Sequence, residues 1–294
     1  MIERRLFLTG LAGAAALAAL PARAQQRPAL GTRRLADAVA AIERDSGGRL
    51  GVAVLDKATG ARFAHRGDER FAMCSTFKFL LAAATLNRAD RGGERLDRRI
   101  PIRRRDLVAN SPVTERLVGR SATVAELCEA TLTTSDNAAA NLLLAPIGGP
   151  GPFTRWLRGI GDPTTRLDRT EPTMNMVSGA DPRDTTTPAA MTADLDRILL
   201  GNVLRPASRQ RLNAWMLNNR TGGNRIRAGV PAGWRVADKT GTSGHGNVND
   251  IGLILPPGRA PLLISIYLAE ASALPAREAE RIIERTTRAV IAEL

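Results

Sequence analysis

Residues 235–269 read RVADKTGTSGHGNVNDIGLILPPGRAPLLISIYLA and carry the clearest strand pattern in this 294-residue chain. The apolar stretches Arg235–Thr242, Ile251–Leu255 and Leu262–Ala269 are separated by turns that contain glycine and proline, which is typical of consecutive β-strands. A helix from about Pro275 to Glu293 follows, because isoleucine and valine recur there at the spacing of one helix face. The C-terminal region is therefore predicted to have the order βββα.

The segment that follows residue 24 supplies the remaining strands. Leu35, Val39 and Ile42 recur at helical spacing, and this helix stops at a glycine pair. The short runs Leu50–Leu55 and Ala61–His65 predict two strands joined by a turn. The N-terminal order is thus αββ.

Between about Ala72 and Asn219 the pattern is that of helices and polar loops. The economical architecture is α+β, a three-layer α/β/α arrangement in which one antiparallel sheet, built from both termini, has helices on its faces. The expected α/β lobe combines residues 25–71 and 220–294, and residues 72–219 form an inserted all-helical lobe. A small-molecule site is expected in the cleft between two such lobes.

Residues 1–24 have the features of a signal peptide. Two arginines precede the apolar stretch Leu6–Leu20, and Ala22-Arg23-Ala24 forms an A-x-A processing site. The arginine pair resembles a twin-arginine export signal. We expect cleavage near Ala24 and a periplasmic protein with no membrane contact afterwards. An uncleaved membrane anchor is the alternative, and it is disfavoured because the apolar stretch is short for a bilayer.

The formal net charge is +13, from 42 basic and 29 acidic residues. No nucleic-acid partner is expected, because an exported protein does not meet nucleic acid. One Tyr and six Phe also offer few aromatic rings on which bases could stack. A positive field favours small anionic substrates, although an arginine-rich composition without purpose explains the charge equally well. Only Lys57, Lys78 and Lys239 are lysines. A buried ammonium can lose its proton, whereas a guanidinium cannot. Each of the three lysines is therefore a candidate for a role that arginine could not fill.

Ser75-Thr76-Phe77-Lys78 is the first candidate catalytic motif, and it opens the apolar run Phe79–Ala82. Positions i and i+3 share one face of a helix. An amine that can shed its proton would there activate a hydroxyl at the positive end of the helix dipole. Taken alone, the motif equally describes an N-capping serine beside a solvated lysine.

Two further polar motifs follow in the chain. Ser135-Asp136-Asn137 lies between two helical stretches, where a helix cap is the alternative interpretation. Lys239-Thr240-Gly241-Thr242 closes an apolar strand, where a polar turn is the alternative. In this order and in these contexts, the three motifs match the signature of class A β-lactamases and penicillin-binding proteins. From about Leu35 to its C-terminus the chain resembles the class A serine β-lactamase family.

Residues 169–184 distinguish a class A β-lactamase from a penicillin-binding protein. This polar segment contains Arg169-Thr170-Glu171-Pro172-Thr173-Met174-Asn175 and has the upper length of an Ω-loop. The resemblance implies that Arg169 pairs with Asp184 across the neck of the loop and that the bond before Pro172 can be cis. It also implies that Glu171 and Asn175 hold the hydrolytic water. A solvated loop glutamate is the alternative.

The resemblance further implies a mechanism for penicillin-like substrates. Ser75 attacks the lactam carbonyl, and its proton passes to Lys78 or, through a water, to Glu171. The N–H groups of Ser75 and Thr242 form the oxyanion hole. Ser135 relays a proton to the departing nitrogen, and Glu171 then activates water for deacylation.

Substrate-binding and structural roles follow from the same resemblance. The implied substrate-binding residues are Asn137, Asn175, Lys239, Thr240, Gly241, Thr242 and Arg225, and the structural residues are Asp136, Arg169 and Asp184. A surface arginine is nearly as good an interpretation of Arg225. His65 and His245 show no metal-ligand spacing, so neither a metal nor a cofactor is expected. The β-lactam is the expected partner of a monomer.

Two other functions compete with this interpretation. A penicillin-binding D,D-peptidase shares the three motifs but is trapped by the drug, and Glu171 with Asn175 argues against it. A penicillin-sensing domain acylates and stops there, and it would need a transmembrane signalling segment that is not expected after the leader.

Cys74 and Cys128 are the two cysteines of a chain expected in an oxidising compartment. A disulfide is one interpretation. Two buried free thiols are expected instead, because each cysteine lies in a predicted helical segment with apolar neighbours.

Overall fold

A computed structural model of the chain describes residues 30–177, 179 and 181–294. The predicted signal peptide, residues 1–24, lies outside this described part. Within it, no helix is both long enough and apolar enough to cross a membrane.

The described residues form nine α-helices and nine β-strands. The helices are α1 Arg33–Ser46, α2 Phe77–Asp90, α3 Val124–Thr133, α4 Asn137–Leu144, α5 Pro150–Gly159, α6 Pro188–Leu199, α7 Pro206–Leu217, α8 Ile226–Gly229 and α9 Ala276–Ile291. The strands are β1 Arg49–Asp56, β2 Arg62–His65, β3 Phe71–Ala72, β4 Arg99–Pro101, β5 Ser121–Thr123, β6 Thr185–Thr186, β7 Arg235–Thr242, β8 Val248–Leu255 and β9 Leu262–Ala269.

Five strands form one antiparallel sheet in the order β2-β1-β9-β8-β7. The N-terminal hairpin β1–β2 joins the C-terminal strands through the pairing of β1 with β9, in which Val52 faces Ile266. The sheet is therefore built from both ends of the chain. The α+β class predicted from the strand pattern is confirmed.

Strand β9 lies at the centre of the sheet and is buried along its whole length. Ile264 and Ile266 pack with α1 and α9 on one face, while Leu263 and Tyr267 face the core formed with α2 and α6. A strand covered on both faces reads as a continuous apolar run, which is why the sequence around β9 shows no alternation. The helices and the sheet thus make three layers.

Helix α1 shows how local sequence sets an element. The side chain of Thr32 accepts a hydrogen bond from the Leu35 N–H at the N-cap, and Gly47 ends the helix with a φ of +61°. Leu35, Val39 and Ile42 face inward, as their spacing predicts. The apolar face therefore packs the helix against the sheet, and the two caps define where the helix begins and ends.

The structure departs from the predicted elements in two places. Strand β8 begins at Val248 rather than at Ile251, because the polar residues Asn249 and Asp250 belong to the strand and are buried. The segment predicted to be all-helical also contains β4 and β5, which pair with each other, and β6, which pairs with β3. These strands have two or three residues each, too few for a periodic pattern.

Both cysteines are free and fully buried. Cys74 lies in the turn before α2, and Cys128 lies on the inner face of α3. Burial raises the pKa of each thiol to about 12, because the thiolate would lose its hydration.

Thiol titration tests this arrangement. Native protein should react with a thiol reagent to well under one equivalent at neutral pH, because both groups are protonated and shielded. Denaturation in the absence of reductant should release two equivalents. A count of zero in denatured protein would show a disulfide and contradict the structure.

Candidate active site

Ser75 lies in a tight turn that leads directly into α2. Residues Cys74–Thr76 form a 3₁₀ turn, and Cys74 has a φ of +45°, in the left-handed region that a side chain disfavours. The Met73 carbonyl accepts hydrogen bonds from the Thr76 N–H at 3.1 Å and the Thr76 hydroxyl at 2.8 Å. The turn is thereby held, and it presents Ser75 at the start of the helix.

Lys78 lies one turn further along, with its side chain fully buried. Its Nζ donates to Ser75 Oγ at 3.0 Å and to the Ser135 carbonyl at 2.8 Å, and it contacts Asn137 Oδ1. Glu171 Oε1 lies 3.1 Å from the same nitrogen. Burial lowers the pKa of Lys78, and the carboxylate of Glu171 opposes that shift. The first motif therefore places an amine within reach of a serine hydroxyl.

Ser135 lies at the junction between α3 and α4, with a φ of +60°. Its hydroxyl is 3.3 Å from Lys78 Nζ and 3.1 Å from Lys239 Nζ, so it bridges the two buried lysines. Asp136 caps α4 by accepting from the Ala139 N–H at 2.8 Å. The Asp136 carboxylate also accepts from the N–H groups of residues 113 and 114, which fixes the neighbouring loop. Within this motif, Asp136 therefore caps the helix, while Ser135 and Asn137 line the cleft.

Lys239 is fully buried on β7, the edge strand of the large sheet. Besides Ser135, its Nζ donates to the Thr240 carbonyl at 2.8 Å. Burial, and then the charge of Lys78, lower the pKa of Lys239 to about 7. Two lysines therefore flank one serine hydroxyl, and the cationic form of each disfavours that of the other.

Thr242 follows on the same strand, and its backbone faces the cleft. The Ser243 N–H bonds to the Asn247 carbonyl on the β8 side. Because successive residues of a strand point their N–H groups in opposite directions, the Thr242 N–H points to the open edge of the sheet. Ser75 and Thr242 line the same cleft.

Glu171 is buried at the base of the Ω-loop and is held by amides. Asn175 Nδ2 donates to Glu171 Oε2 at 2.6 Å. The side chain of Asn141 bonds to both the N–H and the carbonyl of Glu171, at 3.0 and 2.9 Å. The Glu171–Pro172 peptide bond is cis, as the family resemblance allows. The predicted loop glutamate is therefore oriented toward Lys78 rather than solvated.

The neck of the Ω-loop is closed by an ion pair. Arg169 Nε lies 2.5 Å from Asp184 Oδ2. Asp184 Oδ1 accepts from the backbone N–H groups of Asp168 and Arg169, at 2.7 and 2.9 Å. The structure thus brings together the two residues that the sequence analysis paired.

Arg225 is buried, which excludes the surface alternative. Its Nη1 donates to the Gly241 carbonyl at 2.9 Å, and its Nη2 donates to Thr242 Oγ1 at 2.8 Å. Glu280 lies 3.1 Å from its Nε and balances the charge. Arg225 therefore lies behind Thr242, where it orients that hydroxyl.

These side chains line a cleft of about 330 Å³. Its lining consists of Ser75, Asn110, Thr134, Ser135, Asn137, Asn175, Thr221, Arg225, Thr240 and Thr242. His245 lines a neighbouring cavity of about 340 Å³ together with Met176 and Thr242. A larger cavity of about 710 Å³, near Arg49 and Glu270, contains none of the motif residues. The three motifs therefore meet in the smaller, polar cleft.

Several residues of the site had no role assigned from the sequence. Thr221 lies 2.5 Å, oxygen to oxygen, from Thr240, and Asn110 donates to the Ser135 carbonyl at 3.0 Å. Asn141, which holds Glu171, is a lone amide in an apolar helical run. A single polar residue in an otherwise apolar stretch was the sequence feature that could have indicated its role. Within the described residues, His, Cys, Asp and Glu side chains form no group of three or more able to hold a metal ion.

Comparison with known proteins places this geometry in a family. The model of the β-lactamase enzyme family matches residues 34–294. β-Lactamase L2 of Stenotrophomonas maltophilia is 48% identical over 278 residues, which cover 91% of each chain. β-Lactamase Toho-1 of Escherichia coli is 46% identical over 241 residues, which cover 82% of this chain and 81% of that one.

Solved structures give the same result. An ancestral (GNCA) class A β-lactamase is 59% identical and superposes with a TM-score of 0.87, covering 88% of this chain and 100% of that one. A β-lactamase from Xanthomonas campestris is 52% identical with a TM-score of 0.85, covering 87% and 96%. The family resemblance of the three motifs is confirmed, and the chain belongs to the class A β-lactamases, hydrolases that open the β-lactam ring.

Proposed function

We propose that Ser75 is the nucleophile that opens the ring and Glu171 the base that frees the product. Glu171 carries the proposal, because its carboxylate lies 3.1 Å from Lys78 Nζ and within one hydrogen bond of Asn175. A carboxylate there reaches both the acylation machinery and a water above the ester. A penicillin-binding D,D-peptidase, by contrast, remains trapped as the acyl-enzyme that the drug forms.

In the acylation step, Ser75 Oγ attacks the lactam carbonyl and transfers its proton to Lys78 Nζ, 3.0 Å away. The lowered pKa of Lys78 favours the neutral amine that this step needs. Transfer through a water to Glu171 is the second route, since Glu171 also contacts Lys78. In either case the N–H groups of Ser75 and Thr242 receive the negative charge of the carbonyl oxygen.

Cleavage of the lactam bond requires a proton on the departing nitrogen. The Ser135 hydroxyl supplies it, and Lys78 or Lys239, both within 3.3 Å, replaces it. Lys239, Thr240 and Thr242 hold the substrate carboxylate along β7, while Gly241 lets that strand approach the turn. Asn137 contacts the substrate's side-chain amide. Glu171 and Asn175 then activate the water that hydrolyses the Ser75 ester.

The location and the lobe structure are also part of the proposal. The leader pattern of residues 1–24 supports export to the periplasm and action there as a monomer. The sheet built from residues on both sides of the helical segment supports an α/β lobe of residues 25–71 and 220–294 and an inserted lobe of residues 72–219. A cleft between these lobes suits a small anionic β-lactam.

Mass spectrometry tests the nucleophile. Mixing the protein with a slowly hydrolysed β-lactam should add the full mass of the drug to the peptide that contains Ser75, because ring opening loses no atoms. Ser75→Ala should abolish the adduct. Ser208→Ala changes a serine of α7 that donates a hydrogen bond to Asp90, and it should leave the adduct unchanged. An adduct on another residue, or hydrolysis by Ser75→Ala at the parental rate, would refute the assignment.

The titration of Lys239 gives a test by pH. In the free enzyme this amine loses its proton as the pH rises through about 7, and a neutral amine cannot pair with a carboxylate. The kcat/KM for penicillin should therefore decrease as the pH rises above about 7, a pH well below the ordinary pKa of lysine. Lys239→Arg keeps the charge and should remove this alkaline limb.

The matched control is Lys57→Arg, at a partly exposed lysine paired with Asp196. It should keep the parental profile. If the alkaline limb is the same in Lys239→Arg as in the parent, Lys239 is not the group that titrates.

A further inference from the structure

A row of residues crosses the sheet beneath the Ser75 turn. Gly241 on β7 faces Asn249 on β8, and Asn249 faces Tyr267 on β9. Residues directly opposite each other in antiparallel strands project to the same face of a sheet. The row therefore presents three positions side by side to the segment Met73–Thr76.

Asn249 makes the most direct contact with that segment. Its side chain is buried, and its Nδ2 donates to the Ala72 carbonyl at 2.9 Å and to the Met73 carbonyl at 3.3 Å. These carbonyls come immediately before Cys74, the residue with the strained backbone. A buried amide is costly in a strand unless its hydrogen bonds are made. Here they tie the sheet to the nucleophile's turn.

The two neighbours of Asn249 touch the same turn. A Cβ atom at Gly241 would lie 2.8 Å from the Met73 carbonyl and 3.2 Å from the Cys74 Cβ, so only glycine allows this approach. The Tyr267 hydroxyl lies 3.2 Å from Thr76 Oγ1. All three strands thus meet the turn through one cross-strand row.

We propose that Asn249 is a positioning residue that sets the separation between the two N–H donors of the oxyanion hole. The inference rests on the proposed roles of Ser75 and Thr242, which lie on different elements. The backbone of Asn249 pairs with β7 beside Thr242, and its carbonyl also accepts from Arg225 Nη1 at 2.8 Å. Its side chain holds the segment that ends in Ser75. One residue therefore contacts the two segments that carry the donors of the hole.

The expected effect follows from the tolerance of such a site. Removing one donor from an oxyanion hole typically lowers kcat by roughly 10²–10³. A displacement of about 1 Å in a reacting group has a comparable effect, on the order of 10². Loss of the Asn249 amide should loosen the turn without removing either donor, so a decrease of about 10- to 100-fold is expected.

Asn249→Leu tests this, because leucine has a similar size and no donor. Single-turnover kinetics should show the acylation rate constant per active site falling about 10- to 100-fold. The affinity for a phenylboronic acid, whose tetrahedral adduct with Ser75 directs an oxygen into the hole, should fall by a similar factor. Affinity for substrate before acylation should stay within about threefold, because Lys239 and Thr240 are intact.

Two further variants make the result interpretable. Asn87→Leu is the matched control, since Asn87 is also buried and donates from Nδ2 to the Val203 carbonyl, but near the far end of α2. It should lower Tm and leave both kinetic quantities unchanged. Tyr267→Phe keeps the ring and removes the contact with Thr76, so it should lower acylation and boronate affinity together even if Asn249→Leu does not fold.

A purely structural role predicts another outcome. If Asn249→Leu and Tyr267→Phe lower only Tm and the fraction of active sites, while the acylation rate per site and the boronate affinity remain parental, the proposal is wrong. Should Asn249→Leu not fold, Asn249→Ser takes its place, because the shorter serine side chain also loses the amide bonds to the Ala72 and Met73 carbonyls, and parental values in Asn249→Ser overturn the proposal. Failure of the proposed function is distinguishable, because the parent protein itself would then form no adduct at Ser75.

Discussion

The removal of Lys78 Nζ from water is the constraint on which the rest of the site depends. An ammonium transferred into the interior loses several kcal/mol of hydration unless charges and hydrogen bonds replace it. Here the replacement comes from Ser75, Ser135, Asn137 and Glu171, which belong to three separate segments. The interactions that compensate this one charge therefore assemble the Ser75 hydroxyl, the Ser135–Asn137 motif and the Glu171 carboxylate around it.

Several residues of the site have a strained backbone. Cys74, Ser135 and Asp184 each have a φ between 45° and 60°, and residues held in such conformations cost about 1–3 kcal/mol each. Hydrogen bonds connect the strained positions: the Met73 N–H donates to the Asp184 carbonyl at 3.0 Å, and the Asp184 carboxylate binds Arg169. The neck of the Ω-loop thus contacts the Ser75 turn directly. This contact couples the placement of Glu171 to that of Ser75.

Local sequence predicted the fold where local pattern determines it. The bounds of β7 and β9 agree with those expected, because long apolar runs bounded by turns are local signals. The start of β8 was predicted at Ile251 and not at Val248, because Asn249 and Asp250 are polar. Their burial depends on hydrogen bonds to distant segments, which the local sequence does not show. The three motifs pointed to the site through family resemblance, whereas the burial of Arg225 and the contacts of Asn141 arise from long-range packing that no spacing shows.

We infer that Glu171 makes this site hydrolytic, since without it the site would only be acylated. Stopped-flow measurement of Glu171→Ala with penicillin addresses this role. A burst of about one equivalent followed by a much slower steady state is expected, because Ser75, Lys78 and the oxyanion hole remain while the ester loses its base. Turnover by Glu171→Ala at the parental rate, with no burst, would contradict it.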